Sequence, residues 1–451
     1  MAQFNSANGS FQKQATTIFE VPMIANKNGQ VVSLENPFPV TQLGPQINTS
    51  SFNTSTSTDA FGRLRTSDSF TLFDSTLRFG DDPREWSYSN TAGTSVTNVV
   101  HQSSISMNIG TGSGDLVVRQ TKKYFNYQPG KSLLFLNTGV MDTPKTNLRQ
   151  RIGNFNSNNG IYFEANNTTQ YIVLRSRAVG NTVVNNVVPQ SQWNVDTLDG
   201  SNNASNPSGI ELDPSKVQIH WADVEWLGAG SVRAGYVING QFILCHAFHH
   251  ANISNSSYMT TASLPIRYEI ENTGVTASSS RLLHICNSVI SEGGYTPTVQ
   301  TRAVGTALDG LAMTQNAYKP LISIRLKQNR EGAIVVPSEF EVYGLQNTPF
   351  SYQVIQNPTI TGGSWVSLGE DSHVEYNVTA TANTVGGDVL LQGMFIGGTA
   401  AQPVHIDLKG LNHSYQLRID LNGTEEILCI AAKSTTNNDD ALASIVWSEF
   451  N

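Results

Sequence analysis

The chain has 451 residues, of which only 14% are charged, and its formal net charge is −8 at pH 7. A chain of this length is expected to form two or three domains, because single hydrophobic cores stop growing at roughly 250–300 residues. The net negative charge creates no electrostatic potential that would attract nucleic acid or an anionic membrane, so neither is expected as a partner. The polar surface must come from Asn, Gln, Ser and Thr. Because these side chains are uncharged, identical copies of the chain can lie close together without repulsion, which favours a component of an assembly.

Residues 1–98 are predicted to form an extended N-terminal arm. FNSANGSFQ and NTSSFNTSTSTD are polar, low-complexity segments that could not bury enough surface to fold by themselves. Between them, two apolar runs flank Asn28 and Gly29, which predicts a hairpin that is stable only against another surface, with a neighbouring subunit slightly favoured. A basic region followed by an apolar core is missing from the N-terminus, so no secretory signal is expected.

The segment 59–82 of this arm is rich in aromatic, aliphatic and arginine side chains. The predicted partner-docking residues are Phe61, Arg63, Leu64, Arg65, Phe70, Leu72, Phe73 and Phe79. Two interpretations are equally open. The segment is either a linker whose aromatic rings fill the surface of the next domain, or a docking segment whose arginines pair with a partner's carboxylates or carbonyls. Interfaces are enriched in aromatic residues and arginine, which supports docking.

Residues 99–300 are predicted to form an antiparallel β-sandwich or jelly roll. Alternating apolar and polar residues mark one strand after another, separated by turn residues at short spacings. The clearest part is a meander of three strands in residues 216–251, where Asn239-Gly240 predicts a tight type I′ hairpin. The polar segment 199–209 is predicted to be a loop at one end of the sandwich.

Residues 301–451 are predicted to form a second β-sandwich domain. Few of its segments show the i, i+3, i+4 apolar spacing of a helix, so only short pieces such as 439–443 are candidate helices. At the C-terminus, Ile445, Trp447 and Phe450 are predicted to anchor the last strand.

Two pairs of carboxylates at i, i+2 spacing are candidate catalytic groups. Asp223 and Glu225 share one face of a predicted strand, and Glu269 and Glu271 share one face of another. A retaining glycosidase needs carboxyl groups about 5–5.5 Å apart, which this spacing can approach. The favoured interpretation is simpler: alternate charged residues form the solvent face of a half-buried strand.

Histidine and cysteine are the candidate metal ligands. The histidines that cluster in the sequence are His246, His249 and His250, with His220 on a nearby predicted strand. Such tracts can bind zinc, but no acidic residue is interleaved, so hydrogen bonding at a strand end is favoured. The cysteines are Cys245, Cys286 and Cys429. They lie far apart in apolar runs, which predicts buried thiols. No metal and no cofactor is therefore expected.

The meander resembles the strand and hairpin signature of concanavalin-like jelly rolls. The residues that carry this resemblance are Trp226, Tyr236, Val237, Asn239, Gly240 and Gln241. Folds of this kind serve lectins, laminin-G modules and some glycanases. The glycanases carry a Glu-x-Asp-x-x-Glu strand, which is missing here, so the resemblance implies binding or structure and a protein that is not an enzyme.

A second resemblance covers much of the first 300 residues. TDAFGRLRTSDSFTLFDS at 58–75, with RQTKKYFNYQPGKSLLFLNTG, LRQRIGNFNSNNGIYFE and LPIRYEIENTGVTASS, resembles virion structural proteins of tailed phages, particularly marine and cyanobacterial ones. The resemblance implies a neck, tail-fibre or appendage protein that is assembled into the virion in the host cytoplasm. Its expected partners are itself, as a homotrimer, and other proteins of the neck, tail or capsid.

Three alternatives to this interpretation stay open. The first is a receptor module that binds a host surface glycan, with exposed aromatic residues and the 199–209 loop at its binding end. The second is a capsid decoration or head-fibre protein. The third is a glycan-degrading depolymerase that uses Asp223 and Glu225.

Overall fold

The computed structural model describes residues 68–408 and 415–450, and within them the chain is almost entirely β. The named strands pair in antiparallel fashion throughout, and no α-helix occurs in these two ranges. The predicted fold class, a mainly β protein built of antiparallel jelly-roll sandwiches, is confirmed. The predicted arm up to residue 67 lies outside the described residues. No helix in the described part of the chain is long and apolar enough to span a bilayer.

Among the described residues, fifteen strands form the first sandwich. They are β1 (Ser69–Thr76), β2 (Trp86–Asn90), β3 (Ser95–Val99), β4 (Ser104–Ile109), β5 (Leu116–Thr121), β6 (Ser132–Val140), β7 (Leu148–Phe155), β8 (Gly160–Asn166), β9 (Thr169–Ser176), β10 (Val184–Pro189), β11 (Gln218–Val224), β12 (Val232–Ile238), β13 (Gln241–Phe248), β14 (Ile266–Asn272) and β15 (Ser280–Glu292). Sheet A has the order β13-β12-β11-β6-β15-β4-β3, with β1 paired to the second half of β15. Sheet B has the order β10-β9-β8-β7-β14-β5-β2. Inward side chains of both sheets, such as Phe135 and Ile152, form one core.

The predicted meander is present as β11, β12 and β13. Asn239 and Gly240 adopt φ values of 53° and 74°, the left-handed conformation that a type I′ hairpin requires at both central residues. Asn and Gly tolerate this conformation at low cost, so the hairpin and its register follow from local sequence.

The second sandwich has eleven strands in the part of the chain that the structure describes. They are β16 (Val299–Gly305), β17 (Leu311–Ala312), β18 (Lys319–Leu326), β19 (Ile334–Gly344), β20 (Pro349–Gln356), β21 (Val366–Ser367), β22 (Val374–Asn377), β23 (Asp388–Ile396), β24 (Val404–Asp407), β25 (Leu428–Ser434) and β26 (Asp440–Phe450). Sheet C has the order β16-β26-β19-β24, with β17 beside β26, and sheet D has the order β21-β22-β18-β25-β20-β23. The predicted helical piece at 439–443 is wrong, because residues 440–443 begin β26 and residues 441–443 pair with β19. Ile445, Trp447 and Phe450 are buried along this last strand, as predicted.

The predicted domain boundaries fall inside strands. Residue 98 lies in β3, which pairs with β4, and β1 and β2 also belong to the sheets of the first sandwich. Residues 69–98 are therefore part of the sandwich rather than of the arm, since β1 contributes Phe73 to the core. Residue 300 lies in β16, which pairs with β26 of the second sandwich.

The two sandwiches contact each other through ion pairs and a small apolar cluster. Lys122 pairs with Glu426 at 3.0 Å, and Arg418 pairs with Glu85 at 3.1 Å. Tyr124 packs with Ile334 and Phe450, and its hydroxyl donates to Glu331 Oε1 at 3.0 Å.

Candidate functional site

A cleft of about 410 Å³ opens at one end of the first sandwich, and we call it the serine cleft. Its lining residues are Leu174, Ser176, Val179, Val184, Asn186, His250, Ser254, Ser256, Ser257 and Tyr258. None of these residues is an acid, a lysine or an arginine. The volume falls at the lower end of the roughly 300–1,000 Å³ typical of small-molecule sites.

One wall of the serine cleft comes from the pairing of β9 with β10. Val184 lies opposite Ser176, and Asn186 lies opposite Leu174, so all four side chains point to the same face of sheet B. Leu174 also belongs to the core of the first sandwich. Because β10 is the last strand of its sheet, Val184 and Asn186 stay exposed on the cleft side. This wall therefore presents apolar side chains at the base of the cleft, which we call its apolar floor, and polar side chains at its rim.

The opposite wall is the loop 249–258, which is fixed by hydrogen bonds to the turn after β11. The hydroxyl of Tyr258 donates to the carbonyl of Glu225 at 2.8 Å, and its backbone N–H donates to the carbonyl of Gly228 at 3.0 Å. Leu227 in this turn has a φ of 39°, which is uncommon for a bulky residue. The turn presents the carbonyls of Glu225 and Gly228 to the loop.

His250 is held as a neutral ring within this loop. Its Nδ1 lies 2.7 Å from the carbonyl of Gly230, so Nδ1 donates and Nε2 is left as an acceptor. Its ring stacks on Tyr258 with centroids 4.0 Å apart and an interplanar angle of 8°. Burial lowers the pKa of His250, which keeps the ring uncharged at neutral pH.

Several polar side chains of the serine cleft are not used by the fold. Among the described residues, none hydrogen-bonds the hydroxyls of Ser254, Ser256 or Ser257, or the side-chain amide of Asn186. These groups can donate and accept, and none carries charge. The cleft thus offers neutral hydrogen-bonding groups beside an apolar floor, an arrangement that suits a neutral, hydroxyl-rich ligand and not an anion.

The side chains of the predicted carboxylate pairs do not line this cleft, although Asp223 and Glu225 lie near its residue Tyr258. Arginines bind three of the four carboxylates. Asp223 accepts from Arg233 Nε at 2.9 Å, while Glu225 lies beyond the end of β11 and is exposed. Glu271 pairs with Arg149.

Glu269 lies on the outer face of sheet B in a row of alternating charges. It pairs with Arg151 at 2.7 Å and with Arg267 at 2.8 Å, and Arg151 also pairs with Glu164 at 2.6 Å. Burial alone would raise the pKa of Glu269, but the positive charges of Arg267 and Arg151 outweigh it and the pKa is lowered. Glu269 is therefore ionised at neutral pH.

The predicted histidine cluster does not converge on one point. His220 lies in the core with Nδ1 3.2 Å from the carbonyl of Asn137, and Nδ1 of His246 accepts from the backbone of Asn194. Nδ1 of His249 lies 2.9 Å from the hydroxyl of Ser231. In the residues that the structure covers, no group of three or more His, Cys, Asp or Glu side chains is placed to hold a metal ion. Of the thiols, Cys245 and Cys429 are buried and Cys286 is half-buried.

Four of the eight predicted docking residues lie in the part of the chain that the structure describes. Phe61, Arg63, Leu64 and Arg65 lie outside the described residues. Phe73 is buried in the core, Leu72 packs against that core, and the ring of Phe70 stacks on Tyr295 with centroids 5.3 Å apart. Phe79 is 91% exposed, with the guanidinium of Arg78 5.2 Å from its ring centre. The docking role stays a prediction.

A second cavity, of about 460 Å³, lies between the two sandwiches. Its lining residues are Asp82, Arg84, Glu85, Gln356, Leu390, Tyr415 and Arg418. Arg418 pairs with Glu85 and donates to the carbonyl of Arg84, so the charges of this cavity hold the two sandwiches together.

Sequence reasoning missed the residues that line the serine cleft. Its only local signal is the polar run NISNSSY at 252–258, which follows the histidine tract. The predicted binding loop, 199–209, is instead closed by its own hydrogen bonds, such as Asn206 Nδ2 to the carbonyls of Ser201 and Ile210. It does not line this cleft.

The fold and site define a jelly-roll β-sandwich with a neutral end cleft, and several solved structures are similar to about half of the chain. No protein-family model matches the chain, and no curated protein matches it. A family 16 glycoside hydrolase from Bacteroides ovatus is similar at 10% identity and a TM-score of 0.33, over 48% of this chain and 99% of its own.

Two similar structures are carbohydrate-binding by name. The CBM2 module of the evolved Dit of Lactobacillus casei BL23 phage J-1 is similar at 8% identity and a TM-score of 0.31, over 51% of this chain and 100% of its own. The carbohydrate recognition domain of Emp47p is similar at 11% identity and a TM-score of 0.29, over 53% of this chain and 100% of its own. At these identities and TM-scores the likenesses assign no function to this chain.

The prediction that the chain is not an enzyme is contradicted by the similar structures. It depended on the missing Glu-x-Asp-x-x-Glu strand, and the similar structures include the B. ovatus hydrolase and other glycoside hydrolases.

Proposed function

We propose that the chain binds a neutral glycan in the serine cleft. The observation that carries the proposal is the chemistry of the lining: an apolar floor, four unused neutral polar side chains and a stacked His250–Tyr258 pair, with no charged residue. Sugars present hydroxyls that both donate and accept, and apolar C–H faces between them. Each neutral hydrogen bond contributes roughly 0.5–1.5 kcal/mol, so a single site would bind weakly and several copies would be needed for firm attachment.

We propose further that the chain is part of a tailed-phage virion and binds the glycan there. The support is the sequence resemblance of residues 58–75 and the segments that follow to virion structural proteins. In such a particle, a weak glycan site repeated on many copies would attach the phage to a host surface. Peptide mapping of purified particles would detect the chain, and its absence from them would contradict this location.

The binding proposal is tested by filling the cleft. Ser256 is exposed, so Ser256→Trp fills space without disturbing the core. The matched control is Ser113→Trp, at an exposed serine in the turn at the opposite end of the sheet B strands. The full chain and both variants would be applied to an array of neutral glucose-, galactose- and mannose-containing oligosaccharides.

We expect the wild type and Ser113→Trp to bind the same neutral oligosaccharides, and Ser256→Trp to bind them at least about tenfold more weakly. Circular dichroism would show that all three are folded. Binding that survives in Ser256→Trp, or a wild type that binds only acidic glycans or none, would refute the proposal.

A further inference from the structure

The apolar lining of the serine cleft is aliphatic. It consists of Leu174 and Val184 in the apolar floor, with Val179 beside them. Val184 lies on the core side of sheet B, as Leu174 does, but its strand β10 is the last of that sheet. As a result, Val184 is 55% exposed, and Val179 in the preceding loop is 64% exposed. The cleft therefore offers valine methyl groups to a ligand.

The aromatic rings of the cleft offer little surface to a sugar. Among the described lining residues the rings are those of His250 and Tyr258, which stack face to face. Tyr258 is only 7% exposed, so its ring has no open face. A ligand therefore makes its apolar contact here chiefly with branched aliphatic side chains. Such side chains fit a methyl group, whereas the broad C–H face of a sugar ring packs best on a flat aromatic ring.

Asn186 adds a carboxamide to the same patch. It lies two residues after Val184 on the same strand face, about 7 Å along β10. No described residue hydrogen-bonds its side-chain amide. A carboxamide has an oxygen acceptor and two N–H donors, so it can pair with another amide through two hydrogen bonds. A ligand methyl that contacts Val184 at about 4 Å leaves an attached amide within hydrogen-bonding reach of Asn186.

We propose that the serine cleft recognises an N-acetylated hexosamine, a neutral sugar that carries an acetamido group. The acetyl methyl contacts Val184 and Val179, and the amide pairs with the side chain of Asn186. The serine hydroxyls of loop 249–258, on the opposite wall, bind the hydroxyls of the sugar ring. This inference rests on the glycan binding proposed above and narrows it to one class of sugar.

Two related classes of sugar fit the lining less well. A 6-deoxy sugar supplies a methyl group but no amide, so it would cover the Asn186 carboxamide without giving it a partner, which costs affinity. A sialic acid supplies the acetamido group but also a carboxylate, and among the described residues no lysine or arginine lines the cleft. A charged group that loses water without gaining a counter-charge binds poorly. A neutral acetamido sugar avoids both costs.

The test compares sugars that differ in one group. Three pairs of methyl glycosides would be titrated into the full chain: glucose with N-acetylglucosamine, galactose with N-acetylgalactosamine, and mannose with N-acetylmannosamine. Within a pair only the substituent at position 2 changes, from hydroxyl to acetamido. Methyl rhamnoside, a 6-deoxy sugar, is the remaining probe. Saturation-transfer NMR would give the dissociation constants and show which ligand protons contact the protein.

Two substitutions on β10 test the two contacts separately. Val184→Thr replaces one methyl group by a hydroxyl of similar size, and Asn186→Asp removes both N–H donors. The matched controls Val187→Thr and Asn185→Asp lie on the same strand but on its other face, where both positions are exposed. Asn185 accepts from Arg175 Nε at 3.0 Å, so an aspartate is tolerated there. Circular dichroism would show that all four variants are folded.

We expect the wild type to bind the acetamido member of at least one pair about tenfold more tightly than its hydroxyl counterpart, with the strongest saturation on the acetyl methyl. Val184→Thr and Asn186→Asp should each reduce this preference at least about threefold, and the two controls should keep it. Because the preference is a ratio, a general disturbance of the cleft that weakens both members alike does not change it.

Equal affinity within all three pairs would overturn the inference, as would rhamnoside binding as tight as that of the preferred acetamido sugar. A preference that survives unchanged in either Val184→Thr or Asn186→Asp would also overturn it. Each of these results leaves glycan binding in the serine cleft intact. Failure of every sugar to bind would overturn the inference too, and the oligosaccharide array would then decide whether glycan binding itself fails.

Discussion

Arg119 provides the sharpest test of how the first sandwich is held together. Its side chain is completely buried on β5, and its guanidinium lies 4.9 Å from the ring of Trp86. Its Nη2 pairs with Asp81 at 2.6 Å, and its Nε donates to Nδ1 of His284 at 3.1 Å. Burial lowers the pKa of Arg119, although Asp81 offsets part of that effect. Asp81 is therefore the counter-charge for a cation in the core.

We predict that Asp81→Asn destabilises the folded chain by about 3 kcal/mol. Removing one partner of a buried ion pair typically costs roughly 3–5 kcal/mol, because the other charge is left buried without compensation. The lower end applies here, since the side chain of Asp81 keeps 25% exposure. Urea unfolding, followed by tryptophan fluorescence, would measure the difference.

The control for this substitution is Asp74→Asn, an exposed aspartate of β1. We expect its effect to stay within about 0.5 kcal/mol, as for most surface substitutions. In the double variant Asp81→Asn, Arg119→Met, the uncompensated charge is gone, so at least about 1 kcal/mol should return. Equal effects of Asp81→Asn and Asp74→Asn, or a double variant less stable than Asp81→Asn, would refute this reasoning.

Two further predictions concern acid and truncation. Burial lowers the pKa of His220 to about 4. Between pH 6.5 and pH 4 the unfolded chain therefore binds a proton at this residue that the folded chain does not bind. The free energy of unfolding should fall by roughly 3 kcal/mol over this range because of His220. The free energy of unfolding, measured in urea across this pH range, should fall less steeply for His220→Gln than for the wild type. Parallel curves for the two proteins would contradict this prediction. Deletion of residues 1–67 should leave a cooperatively folded protein, whereas deletion of 1–80 also removes β1 with Phe73 and should cost at least about 3 kcal/mol. Thermal melts that are identical for the two truncations would show that β1 is dispensable.

The surroundings of the candidate catalytic carboxylates, which lie outside the serine cleft, could be foreseen only in part. The sequence placed Glu269 and Glu271 correctly on one face of a strand. It could not show that Arg151, more than a hundred residues away along the chain, binds Glu269. Register between distant strands decides that contact, and register between distant strands is not a local property of the sequence.

What the sequence by itself determined is the local β structure. Alternation with a period of two predicted the strands, and Asn239-Gly240 predicted a hairpin whose two positive φ values only such residues adopt readily. These features depend on a few neighbouring residues. The same reasoning took 439–443 for a possible helix, because the small residues there have no strong pattern until β19 pairs with them.

Only the tertiary structure decided which surfaces are available for binding. The serine cleft joins β9 and β10 to a loop about seventy residues later, and Val184 stays exposed in it because β10 is the last strand of its sheet. Both depend on the order in which strands pair across the sheets. That order is set by packing the whole core at once, so no single stretch of the chain contains it.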